Sequence, residues 1–187
     1  MTRNFDPAPV PGELLDRLLE AALRGPAAGN TQGRDLVVLE GAGQTGLYWE
    51  ATTDAGWRRR STRFAGLSQA PVVVLCYVDP QAYADRYAEA DKAGGTGPAE
   101  WPLPYWIVDG AFSVLLLLLA AQDAGLGSAF LGNFRGEEPL RQVLGVPEGR
   151  VWLGAVLLGS PARPDPPTSS ARRARRPAAE CVHRGGW

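Results

Sequence analysis

The chain has 187 residues, of which 45% are hydrophobic, which suits one domain with a real core. Its formal net charge of -1 excludes a global attraction to nucleic acid or to anionic membrane. A single histidine, His183, and two cysteines, Cys76 and Cys181, speak against a zinc site, a histidine triad or a disulfide framework, and no metal is expected.

The first seven residues carry no apolar signal core, and two unpaired thiols suit a reducing, cytoplasmic setting. Leu14, Leu15, Leu18, Leu19, Ala22 and Leu23 recur at helical spacing, predicting a first helix over residues 12–24 between Pro11 and Gly25. Gly25-Pro26-Ala27-Ala28-Gly29-Asn30-Thr31-Gln32-Gly33 follows. Small residues, a proline and two side-chain amides gather where a helix hands over to a strand. Such a turn either lets a flat polar ligand approach the backbone or is only a tight helix stop. Residues 36–40 form the first strand.

Gly41-Ala42-Gly43-Gln44-Thr45-Gly46 matches G-x-G-x-x-G, a loop able to cradle a pyrophosphate. A dinucleotide unit also wants an acid roughly 20 residues further on. That stretch holds Trp57, Arg58, Arg59, Arg60 and Arg63 instead, so a plain strand-to-helix turn competes with an NAD-binding loop. Residues 47–60 suit a helix weakened by Gly56. After Pro71, the run Val72 to Val78 is continuously apolar, as in a strand covered on both faces.

A polar helix over residues 81–92 leads to a Gly/Pro-rich stretch, residues 93–104, expected to be a mobile loop. Residues 105–124 form the central helix. Its run from Val114 to Ala121 is too short for a membrane span and suits a helix buried on all sides. A short strand (128–132), a short helix (138–144) and a third strong strand (151–158) complete the body. Residues 161–171 are rich in Pro and Ser. The tail beyond carries Arg172, Arg173, Arg175 and Arg176, either a solvated basic run or a phosphate clamp, and it ends in Trp187. Wrapping over a second subunit competes with free coil for this tail. Trp101, Tyr105 and Trp106 either stack on a planar ligand or close the core.

Four pieces, spread over almost the whole chain, resemble the FMN-dependent nitroreductase family. They are Arg3-Asn4-Phe5 with Pro9-Val10-Pro11; the turn from Pro26 to Gln32, similar to A-P-S-x-x-N-x-Q; Asp109 to Ala121 followed by Gly125-Leu126-Gly127-Ser128 and Leu131-Gly132-Asn133-Phe134; and Leu158-Gly159-Ser160-Pro161 with Arg173 to Pro177 and Val182 to Trp187. The resemblance implies an α+β, three-layer sandwich with a mostly antiparallel central sheet flanked by helices. It implies one FMN-binding domain, residues 1–160, and a C-terminal arm, residues 161–187, exchanged in a homodimer. Carried over by position, Arg3, Arg173 and Arg175 hold the FMN phosphate. Pro26, Ala27 and Ala28 lie along the flavin, and Asn30 and Gln32 bond its polar edge. Gly132 turns its backbone N–H to flavin N5 with Asn133 beside it, and Trp101, Tyr105 and Trp106 line the substrate face.

The implied activity is a ping-pong transfer of hydride from NADH or NADPH through the flavin to a small organic acceptor: a nitroaromatic, a quinone, an enone or a biosynthetic intermediate. A flavin-sequestering protein without efficient turnover is the alternative. The sequence departs from the family pattern where Ala27 replaces a serine and where the upstream half of an R-x-S-x-R segment is missing. A basic partner for the flavin pyrimidine is placed only as far as the arginines from Arg58 to Arg63.

Overall fold

In a computed structural model of the chain, residues 1–92, 94–132, 134–164 and 172–187 are described. Four strands form one sheet: β1 (Arg34–Glu40), β2 (Val72–Val78), β3 (Gly127–Gly132) and β4 (Val151–Gly159). Their order is β1-β2-β4-β3, and every neighbouring pair is antiparallel. Leu36 pairs with Cys76, Val74 with Val156, and Phe130 with Val156.

All seven residues of β2 are buried, as its unbroken apolar run predicts for a central strand. Alternation then divides the core. Val73, Leu75 and Tyr77 face a layer built on α2 (Gly41–Thr52) and α7 (Glu137–Leu144), with Tyr48, Trp49, Leu140 and Trp152 packed there. Val72, Val74 and Cys76 face α1 (Gly12–Leu23) and α6 (Tyr105–Asp123), meeting Leu15, Leu18, Val114, Leu117 and Ala121. The fold is therefore the expected α+β sandwich of three layers. Leu75 is fully buried at its centre. Leu75→Ala is expected to cost about 2–5 kcal/mol, read from the shift of the urea-unfolding midpoint.

Several boundaries differ from expectation, each for a local reason. The helix expected over residues 47–60 is two: α2 ends at Thr52, and α3 (Ala55–Arg60) starts afresh. Thr53 between them is extended, and the Asp54 carboxylate caps α3 by accepting the Trp57 N–H at 2.7 Å. A four-residue helix, α4 (Phe64–Leu67), carries no sequence signal of its own. The polar helix α5 (Pro80–Tyr87) stops well short of residue 92. Residues 41–46 are the opening turns of α2, where the Gln44 side chain accepts the Glu40 N–H. Because β1 and β2 run antiparallel, no parallel βαβ unit surrounds this glycine motif, and the dinucleotide-loop reading falls.

The largest correction concerns α6. It is the described helix long and apolar enough to cross a membrane by length and composition, yet it packs on α1, β2, β3 and β4 as a core helix does. It is not buried on all sides. Val114, Leu117 and Ala121 point inward, while Phe112, Leu115 and Leu119 are 39%, 52% and 54% exposed.

Candidate functional site

A cavity of about 530 Å³ opens where β3 ends, within the roughly 300–1,000 Å³ of small-molecule sites. Its walls are aromatic. Tyr48 and Trp49 come from α2, Trp57 from α3, Phe130 from β3 and Trp152 from β4, with Leu67, Leu131, Gly132 and Phe134 completing them. The rings brace one another edge to face: Tyr48 on Trp49 at 4.9 Å, Trp49 on Phe64 at 5.6 Å, and Trp57 on Phe64 at 5.8 Å. Burial pushes the Tyr48 phenol up to about 12, so it stays neutral.

Polar groups of the wall are mostly committed to the scaffold. Thr52 donates to the Tyr48 carbonyl at 2.6 Å, and Thr53 donates to the Trp49 carbonyl. Arg58 donates to Thr53 Oγ1 at 2.7 Å and to the Trp49 carbonyl at 2.8 Å, which ties α3 to the end of α2. At the rim, Arg135 pairs with Asp54 at 2.6 Å. The Trp57 N–H and then Arg135 hold the Asp54 carboxyl below its ordinary range.

Gly132 is the predicted site residue that lines this cavity. It is not among the glycines of positive φ, and a Cβ there would meet only the Phe134 ring, at 3.4 Å. The chain's own backbone does not demand glycine at 132, where the one neighbour a Cβ would meet is the ring of an exposed side chain. Asn133 lies outside the described residues.

The backbone around Arg3 runs past the start of β3 and past α4. Thr2 donates to the Ser128 carbonyl at the start of β3, and Phe5 donates to the Gly66 carbonyl in α4, beside the cavity residue Leu67. Gly66 permits this, because a Cβ would sit 2.4 Å from the Arg3 carbonyl oxygen. Asn4 to Asp6 also pair with Ser160 to Ala162, where the C-terminal segment leaves β4.

The turn of residues 25–33 is not in this cavity's wall. It lies against α5 and α6, and its glycines have internal reasons. A Cβ on Gly29 would be 2.9 Å from the Tyr87 ring, and one on Gly33 would be 2.7 Å from the Tyr83 ring. Gly29 and Asn30 both adopt left-handed φ, 64° and 54°, which glycine and asparagine tolerate best. Charged side chains secure the turn from behind. Arg34 donates to the carbonyls of Leu23 and Gly25 at 3.0 and 2.9 Å, Arg86 to that of Gly29 at 2.9 Å, and Asp109 accepts the Ala28 N–H at 2.8 Å. Gln32 donates to Asn30 Oδ1, and both amides are exposed.

Trp101, Tyr105 and Trp106 form one half-buried cluster beside this turn, joined by Tyr83 and Tyr87. Trp101 meets Tyr87 at 4.8 Å and donates from its indole to the Thr96 carbonyl. Lys92 lies 5.7 Å over the Tyr87 ring. Arg173 and Arg175 are exposed on the C-terminal segment.

The expected site residues thus fall into separate groups: Gly132 at the end of β3, Arg3 near its start, the turn with its aromatic cluster, and the arginines of the tail. The cavity's aromatic wall escaped the sequence reading. Thr45, Tyr48, Trp49 and Thr52 recur at i, i+3, i+4 and i+7, so a helix begun at Gly41 would have placed them on one face.

Known proteins resemble this arrangement along its length. The family model described as "Nitroreductase family" matches residues 1–160. An NADH dehydrogenase of Thermus thermophilus is 30% identical over 188 aligned residues, covering 86% of this chain and 82% of its own. A nitroreductase family protein of Streptococcus pneumoniae superposes with a TM-score of 0.72 at 18% identity, over 98% of this chain and 94% of its own. A Desulfovibrio desulfuricans protein, assigned as a nitroreductase and crystallised with FMN, superposes with a TM-score of 0.69 at 20% identity, over 100% of this chain and 91% of its own.

Proposed function

The chain belongs to the nitroreductase family, which makes it an FMN-type NAD(P)H oxidoreductase, and we propose that it passes hydride from NADH or NADPH to a small organic acceptor in a ping-pong cycle. The acceptor is a nitroaromatic, a quinone, an enone or a biosynthetic intermediate. One observation carries the reading: β3 runs out at Gly132 on an aromatic-walled cavity, where only the Phe134 ring comes near the place a side chain would take.

The residues fit FMN. Bound FMN supplies a hydride acceptor and donor at N5, so the protein needs no metal or acid–base pair of its own. Gly132 would offer its backbone N–H to the flavin, with Asn133 next to it in the sequence. Arg3, Arg173 and Arg175 supply guanidinium forks for the phosphate. Pro26, Ala27 and Ala28 would lie along the flavin, and Asn30 and Gln32 would present amides to it. Trp101, Tyr105 and Trp106 give the nicotinamide and the acceptor one shared stacking place, which is why the two substrates take turns.

In this reading the residue groups converge when two copies meet, the turn of one subunit facing the Gly132 edge of the other. The uncovered apolar stripe of α6 supplies a surface for that homodimer. Residues 1–160 form the body, and residues 161–187 are an arm laid over the partner, with Val182 and Trp187 as exposed apolar anchors. The free thiols Cys76 and Cys181 suit the cytoplasm.

The purified protein is expected to be a yellow dimer with an FMN spectrum. The spectrum should bleach anaerobically on adding NADH or NADPH and recover on adding a quinone or nitroaromatic. Steady-state rates should give parallel double-reciprocal lines. A protein that takes up no FMN overturns the reading. FMN uptake without reduction by either nicotinamide would favour a flavin-sequestering role.

A further inference from the structure

The buried face of α6 carries one ionisable side chain, Asp109, which is only 4% exposed. A carboxylate there costs several kcal/mol unless donors meet it. Two do, and both reach the same oxygen. Oδ2 accepts the Ala28 N–H at 2.8 Å and the Tyr83 O–H at 2.9 Å. The two donors belong to different walls. Ala28 opens the short 3-10 turn of residues 28–30, inside the segment assigned above to the flavin. Tyr83 is fully buried on α5, and its ring packs on Trp101 and on Trp106, each at 6.3 Å. Burial and the Asp109 hydrogen bond both push the Tyr83 phenol upward, so it remains a donor. Arg34 and Arg86 also grip the turn, but through its carbonyls alone.

We propose that Asp109 is a positioning residue that fixes the cofactor wall and the acceptor wall at one spacing, and so helps to set which acceptors fit. The proposal rests on the functional reading above and adds a specificity determinant to it. Asp109 touches neither cofactor nor acceptor. It acts through Ala28 on one side and through Tyr83, Trp101 and Trp106 on the other.

The test compares the full-length wild type with Asp109→Leu, Asp109→Asn and Tyr83→Phe. FMN affinity is read from flavin fluorescence, and selectivity from the ratio of kcat/KM for benzoquinone and for menadione, a one-ring and a two-ring acceptor. Tyr83→Phe should leave FMN affinity within about twofold yet move the selectivity ratio by about threefold or more, since it cuts one branch alone. Asp109→Leu should do both, weakening FMN by roughly tenfold or more. Asp109→Asn should keep both readings within about threefold of wild type, because an amide oxygen accepts from the same two donors.

An Asp109→Leu protein with native affinity and native selectivity overturns the proposal. So does a Tyr83→Phe protein that merely melts earlier with its selectivity unmoved, and that variant decides the matter if Asp109→Leu fails to fold. A wild type that binds no FMN overturns the functional reading and this proposal together; an active wild type with unaltered variants overturns this proposal alone.

Discussion

Replacing Arg173 and Arg175 by alanine is expected to strip the protein of FMN while leaving the body of the fold intact. Both side chains are exposed, and no described residue beyond Leu158 belongs to either core cluster, so their removal opens no cavity. Their proposed partner is a phosphate, whose oxygens take guanidinium N–H groups two at a time. A hydrogen bond to a charged group contributes about 1.5–3 kcal/mol, so losing two such contacts should weaken FMN on the order of 10²-fold or more. Their neighbour Arg176 is engaged within the arm, donating to the Glu180 carbonyl at 2.6 Å, which makes Arg176→Ala a useful comparison with a smaller expected loss. Equilibrium dialysis of the apoprotein against FMN gives the affinity, and its salt dependence should flatten in the double variant. Unchanged flavin occupancy would remove the arm from the site and leave Arg3 as the only assigned phosphate ligand.

Much of the fold was legible because burial on both sides leaves a strong mark. The run from Val72 to Val78 admits no polar residue, and it became the central strand with both faces covered. Leu15, Leu18 and Ala22 at helical spacing became the inward stripe of α1. Short elements were less legible. α4 has four residues, too few for a period to show, and it exists where Phe64 and Leu67 reach the core and Gly66 meets the N-terminal segment. The break at Thr53 was hidden because Asp54 caps the next helix so soon after α2 ends.

The turn of residues 25–33 illustrates how composition can suggest a ligand where packing also accounts for the residues. Its small residues suggested a surface cleared for a ligand. Gly29 and Gly33 are instead explained by the tyrosine rings behind them, and Gly25 by Arg34 and Leu116. Gly132 shows the opposite case, a glycine that the chain's own packing leaves unexplained and that borders the cavity. Asp109 was visible in the sequence only as the start of a familiar segment. Its significance comes from two donors, 26 and 81 residues away along the chain, that meet on one oxygen. No local pattern encodes such a meeting. The open face of α6 was equally hidden, since a leucine run looks the same whether its own chain or a second copy covers it.

That open face carries the other large expected effect. Leu115→Glu combined with Leu119→Glu is expected to separate the dimer and release FMN, although neither residue is assigned to the flavin. Phe112, Leu115 and Leu119 fall at i, i+3 and i+7 on one side of α6, while Val114, Leu117 and Ala121 hold the opposite side to the sheet. The substitutions therefore spare the protomer core, and far-UV circular dichroism should be unaltered. At an interface they remove two apolar side chains, each worth about 1.5–3 kcal/mol when fully buried, and they oblige two carboxylates to lose water without a partner. With those side chains already about half covered in the protomer, dimer dissociation should still rise on the order of 10³-fold. Sedimentation velocity reads the change directly. Flavin loss should follow the same concentration dependence if, as proposed, the turn of residues 25–33 of one copy meets the Gly132 edge of the other. A monomeric variant that keeps its FMN would show that one chain suffices to hold the cofactor, and the shared-site arrangement would then fall while the family assignment stands.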